Sequence, residues 1–138
     1  MQDITLQQSR LGAHCTHKGR MVASFCLFQT SENSYLFCLT KQTLPALQKS
    51  LGKYIVFSKA KLRDASDEYL ELGISGSQAA QKISAIFGKA PTSAQEQHRN
   101  ENGTVICVDK NAPRFLCIIP ATHAKTVFDT LAAEATIT

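Results

Sequence analysis

The stretch Leu11-Gly12-Ala13-His14-Cys15-Thr16-His17-Lys18-Gly19-Arg20-Met21-Val22-Ala23-Ser24-Phe25-Cys26-Leu27-Phe28-Gln29 decides how the chain is read. Thr16-His17-Lys18-Gly19 is a turn signal, with Gly19 suited to the backbone region that other residues avoid. The runs on either side, Leu11 to Thr16 and Arg20 to Gln29, are then two strands of a hairpin. In the second run Met21, Ala23, Phe25 and Leu27 alternate with Val22, Cys26 and Phe28, so both faces are apolar. A strand of that kind is covered on both sides and is expected at the centre of its sheet.

Working outward, Ser31-Glu32-Asn33-Ser34 predicts a second turn and Tyr35 to Leu39 a third strand, giving a meander. Leu44, Leu47, Leu51, Tyr54 and Ile55 recur at helical spacing, with Thr43 as the expected cap and Pro45 in the first turn. A strand is expected about Lys59 to Arg63. Another follows where Leu70, Leu72 and Ile74 alternate with Tyr69, Glu71 and Gly73. Ser77 is the expected cap of a second helix with Ala80, Ile83, Ile86 and Phe87 on its apolar face, stopped by Gly88. Residues 88–103 are polar and aperiodic and are expected to form an exposed loop. Val105 to Val108 and Phe115 to Ile119 make a hairpin around Lys110-Asn111-Ala112-Pro113. A last helix carries Ala124, Val127, Phe128, Leu131 and Ala135. The predicted order β-β-β-α-β-β-α-β-β-α has no repeated βαβ unit. It implies one α+β domain of mostly antiparallel sheet with packed helices.

At 138 residues, 43 % hydrophobic and 19 % charged, the chain is long enough to bury a core without staples. Its apolar runs, such as Ile55 to Phe57 and Phe115 to Pro120, fall far short of a bilayer span. Met1-Gln2-Asp3 has no basic start or apolar stretch, so no signal peptide is expected. Five cysteines, Cys15, Cys26, Cys38, Cys107 and Cys117, form no Cys-x-x-Cys pair, and all but Cys15 sit in apolar runs. They are expected to be thiols packing as small hydrophobes in a reducing, cytoplasmic setting. The charge is uneven: residues 1–63 carry nine Lys/Arg against two acids, and residues 64–138 six against nine. A basic half suits phosphates, polyglutamate tails or RNA, but charges scattered as these are read first as a solvated lysine face.

His14-Cys15-Thr16-His17 is the densest group of reactive side chains. A metal needs three or four converging ligands, whereas neighbours on a strand point to opposite faces. No metal site is expected there, and no catalytic residue is assigned. Lys18-Gly19-Arg20 places two cations around a tight turn, a shape that can hold an anion. Arg114 opens an apolar strand and can reach a carboxylate from its end. Gly73-Ile74-Ser75-Gly76 lacks the spacing of a phosphate loop. The aromatics lie in core-like stripes, so no platform for stacking bases is expected.

Laid side by side, several segments resemble the YgfZ-type folate-binding proteins, relatives of the glycine-cleavage T-protein (aminomethyltransferase). Gln2-Asp3-Ile4 is similar to the end of that family's Gly-Gln-x-Thr-x-Asp entry. Residues Leu11 to Met21 resemble its A-x-x-x-x-K-G-[KR] hairpin. Lys53-Tyr54-Ile55-Val56-Phe57-Ser58-Lys59 resembles its K-Y-x-x-F-x-K helix end. Leu72-Gly73-Ile74-Ser75-Gly76 resembles L-G-[VI]-x-G, and Arg114-Phe115-Leu116 resembles R-F-L. The five segments occur in the family's order across nearly the whole chain.

The resemblance implies an aminomethyltransferase-like folate-binding domain whose second half is ferredoxin-like. It also implies tetrahydrofolate as the ligand and a part in tRNA modification and iron–sulfur enzyme maintenance. Lys18, Arg20 and Arg114 are then expected to meet the glutamate tail or RNA phosphates, and Ser24 to line the pocket. Where the aminomethyltransferases carry an Asp-Asp pair, this chain has Ala23-Ser24, and a serine hydroxyl is no carboxylate base near neutral pH. An accessory folate-binding role is therefore expected ahead of the alternative, a folate-dependent aminomethyltransferase using Asp3. A plain protein-interaction module is the third reading. The family's Lys-Gly-Cys-Tyr-x-Gly-Gln-Glu loop is expected beyond Thr138, and its first strand and helix before Met1, so that the chain corresponds to the middle of a longer domain. Partners outside reduced folate are expected to be tRNA or iron–sulfur proteins, not a membrane, with self-association through open strand edges.

Overall fold

The computed structural model describes residues 5–133 and residue 135. Gln2, Asp3 and Ile4, part of the sequence resemblance, lie outside the described residues. The chain is α+β, with antiparallel sheets and three α-helices among the described residues. Where the sequence suggests one domain, it gathers into two compact units, Met1–Asp64 and Ala65–Thr138.

The first unit holds a three-stranded antiparallel meander: β1 (Arg10–Cys15), β2 (Met21–Ser31) and β3 (Ser34–Cys38), in the order β1-β2-β3. The central place of β2 follows the two-sided apolar reading. Register sets His14 opposite Ala23, Gly12 opposite Phe25 and Cys26 opposite Cys38. The simple alternation breaks at the start of β2. Cys15 pairs with Met21 but its neighbour His14 pairs with Ala23, so Val22 is an extra, bulged residue. The bulge turns Met21 away from the face of Ala23: Met21 is 61 % exposed and Ala23 is 2 % exposed. The Phe25 and Phe37 rings pack edge to face with centroids 4.9 Å apart. Phe25 also lies over Gly12, where an added Cβ would come within 2.8 Å of the ring.

A short 3-10 turn over Lys41–Thr43 leads into α1 (Leu44–Ile55), which has Pro45 in its first turn and Gly52 inside it. Thr43 precedes the helix but does not cap it with its side chain. Its hydroxyl instead donates to the Thr40 carbonyl at 2.9 Å, because the preceding turn already gives Thr43 a helical backbone. The strand expected about Lys59 to Arg63 does not form; residues 60–65 have no regular structure. Lys59-Ala60-Lys61-Leu62-Arg63 offers one large apolar side chain, too little to fix a strand on a core.

The second unit is a four-stranded antiparallel sheet in the order β4-β7-β6-β5, formed by β4 (Tyr69–Ser75), β5 (Gln97–Asn100), β6 (Gly103–Asp109) and β7 (Arg114–Pro120). Helices α2 (Ala79–Phe87) and α3 (Ala121–Ala132) belong to the same unit. Register places Val105 opposite Cys117 and Cys107 opposite Phe115, with Leu72 and Ile74 of β4 beside the same β7 residues. These residues share one face. Ala79, Ile83 and Phe87 of α2 and Val127 and Leu131 of α3 join Val105, Cys107, Phe115, Cys117 and Ile119 in one buried cluster.

The second unit runs in the order β-α-β-β-β-α. Between β6 and β7 stands a tight hairpin in which Asp109 Oδ1 accepts from the Asn111 amide at 2.9 Å. Two expectations are corrected here. Residues 88–103 are not all exposed loop, because β5 forms within them and pairs with β6, and Pro91 and Gln97 are buried. Ser77 does not cap α2; Gln78 holds that place, and a Gly76-to-Ala79 turn starts the helix. Gly88 does end it, at φ 79°. No helix among the described residues is long and apolar enough to cross a membrane.

Candidate functional site

The hairpin between β1 and β2 is well defined. The Gly19 amide donates to the Thr16 carbonyl at 2.9 Å, the Thr16 amide to the Arg20 carbonyl at 2.8 Å, and the Arg20 amide to Thr16 Oγ1 at 3.2 Å. Gly19 has φ 76°. His17 and Lys18 keep negative φ, so the reversal is a type I turn followed by a left-handed glycine. Lys18 and Arg20 flank that glycine, and both side chains are exposed. Ser24 is exposed on β2, opposite Ala13. Arg114 is exposed at the start of β7, in register with Ser75 on one side and Asp109 on the other. Lys18, Arg20 and Ser24 thus belong to the first unit, and Arg114 to the second.

His14 takes a role the sequence did not suggest. Its Nε2 lies 2.8 Å from Ser50 Oγ, a bond between β1 and α1 that ties the hairpin strand to the helix. Cys15, the next residue, is exposed. Among the described residues no three His, Cys, Asp or Glu side chains gather as a metal site would require. Cys117 is buried at 0 % exposure, and burial pushes its thiol up to about 12. At neutral pH it stays protonated and packs as a small hydrophobe, as does Cys107, whose thiol burial also pushes up.

A second feature of the first unit escaped the sequence reading. Tyr54 lies two helical turns beyond buried Leu47 on nearly the same side of α1, about 10 Å further along the axis. Whereas Leu47 is 5 % exposed, Tyr54 is 65 % exposed, and Phe57 beyond it is 92 % exposed. The periodicity identifies the apolar face correctly but carries no information on where the cover ends. One signal was present in the sequence: no Asp or Glu occurs between Glu32 and Asp64, while Lys41, Lys49, Lys53, Lys59, Lys61 and Arg63 do.

No protein-family model matches the chain.

Proposed function

We propose that this chain is an accessory, reduced-folate-binding module, with tetrahydrofolate as ligand and a cytoplasmic setting in tRNA modification and iron–sulfur enzyme maintenance. The observation that carries the reading is the Thr16–Gly19 turn, which holds Lys18 and Arg20 on either side of a left-handed glycine. The five sequence segments that resemble the YgfZ-type proteins in the same order support it. In this reading the two cations receive the carboxylates of a glutamate tail and Ser24 lines the pterin side. Arg guanidinium suits a carboxylate geometrically, and Lys adds an adaptable point charge. Catalysis of aminomethyl transfer is not part of the proposal, because Ala23 and Ser24 supply no carboxylate.

Calorimetric titration with tetrahydrofolate and its polyglutamate tests the reading. The polyglutamate should bind more tightly than the monoglutamate. Lys18→Ala/Arg20→Ala should remove that preference, a loss of about tenfold for each charge-assisted contact. Equal affinity of the double variant and the native chain for the polyglutamate would show the hairpin has no such role.

A further inference from the structure

We infer that the C-terminal end of α1 and the segment after it, Lys53 to Arg63, form a binding surface for single-stranded nucleic acid. The inference goes beyond the folate reading and does not rest on it. Two exposed rings, Tyr54 and Phe57, stand three residues apart where the helix ends. Their backbone is held in hydrogen-bonded turns: the Phe57 amide donates to the Tyr54 carbonyl at 3.3 Å and the Ser58 amide to the Ile55 carbonyl at 3.0 Å. Ser58 Oγ donates to the same Ile55 carbonyl at 3.0 Å. The rings are therefore presented from a fixed turn.

Cations surround the rings. Lys53 precedes them, and Lys59, Lys61 and Arg63 follow at every second residue, all exposed, with no acid between Glu32 and Asp64. Exposed aromatic faces beside a track of cations are what a single strand requires: unpaired bases stack on the rings while phosphates meet the lysines. A duplex hides its base faces, so rings alone would gain nothing from it. An anionic bilayer is the other polyanion to weigh. It rewards a continuous apolar tip, whereas here Val56 and Phe57 are followed at once by Ser58 and Lys59, and the cations run on along a segment of chain. The charge pattern favours the strand.

The test is fluorescence anisotropy of the full chain with a labelled twelve-nucleotide oligouridylate. Binding should weaken with salt at a log–log slope of about −3, four phosphates at about 0.7 each. Tyr54→Ala/Phe57→Ala should lower affinity about a hundredfold, while Tyr54→Phe/Phe57→Tyr should keep it. Lys59→Gln/Lys61→Gln should flatten the salt slope by about 1.4. Because these side chains are exposed, circular dichroism should show every variant folded. The inference fails if the alanine variant binds as tightly as the native chain, or if a duplex of equal length binds equally well. It also fails if phosphatidylserine vesicles bind through Phe57 and the oligonucleotide does not.

Discussion

The two units put their apolar side chains to different uses. The buried cluster of α2, β4, β6, β7 and α3 lies wholly in the second unit, with Ile83, Phe87, Val105, Cys117 and Ile119 at 0 % exposure. The first unit buries fewer large side chains and exposes more. Among the described residues, Leu6, Leu11, Met21, Tyr35, Tyr54, Val56 and Phe57 are all well exposed there, against Val108 in the second unit. Charge divides the same way, since the basic excess falls in residues 1–63 and the acidic excess in 64–138. A region that keeps apolar and cationic groups in water gains little stability from them; they remain available for binding. The second unit carries the packing, and the first carries the surface chemistry.

The sharpest way to break that contrast is to cut equivalent holes in the two units. Ile83→Ala removes a fully buried aliphatic side chain of α2 from the core cluster of the second unit and should cost about 4 kcal/mol. Leu47→Ala, in the thinner first unit, should cost about 2 kcal/mol, since a sparsely packed site collapses more readily around the loss. Urea denaturation followed by circular dichroism measures both. Equal losses would show that α1 is packed as tightly as α2.

Backbone geometry gives a second comparison, smaller in scale. Gly103 begins β6 at φ 135°, and a Cβ there would lie 2.4 Å from the Ile118 carbonyl oxygen. Gly103→Ala combines a backbone region closed to side chains with a clash against main chain, and should cost about 3 kcal/mol. Gly12→Ala meets only the Phe25 ring, at 2.8 Å, in an ordinary strand. The ring can tilt at the expense of its contact with Phe37, and the cost should be about 1 kcal/mol. Thermal melts of the two variants rank them; an inverted order would mean that Phe25 is held more rigidly than the β6–β7 backbone.

Much of the fold was legible because its signals are local. Gly19 and Gly88 take the positive φ that their places demanded, and Ile83, Phe87, Val127 and Leu131 fall on the buried sides of their helices. What stayed hidden depended on contacts across the chain. Gln97-His98-Arg99-Asn100 has no apolar rhythm and becomes a strand only because β6 offers an open edge. The bulge at Val22 reverses Met21, which no alternation rule can reveal. Of the candidate site, the cationic turn was readable from Lys18-Gly19-Arg20, but the exposure of Tyr54 and Phe57 was not. Periodicity gives a direction around a helix and is silent on how far along its axis the neighbouring sheet extends.

The smallest effect probes how the second unit holds its polar loop. Glu96 Oε2 accepts from the Thr92 amide and the Ser93 amide, each at 3.0 Å, and from the Thr92 hydroxyl at 3.4 Å. Lys89 Nζ lies 3.9 Å from the other carboxylate oxygen. The two amide bonds, more than Lys89, hold the carboxyl below its ordinary value of 4.5. A carboxylate whose folded pKa is lowered stabilises the fold fully above the unfolded value and loses that contribution as pH falls through the folded one. Glu96→Gln keeps the shape and removes the charge, so it should cost about 1 kcal/mol at pH 7. The difference from the native chain should begin to shrink below about pH 4.5 and vanish at lower pH. Paired urea titrations at neutral and acid pH read this directly. A cost that persists unchanged in acid would assign the loop's order to the neutral hydrogen bonds and leave the charge without effect.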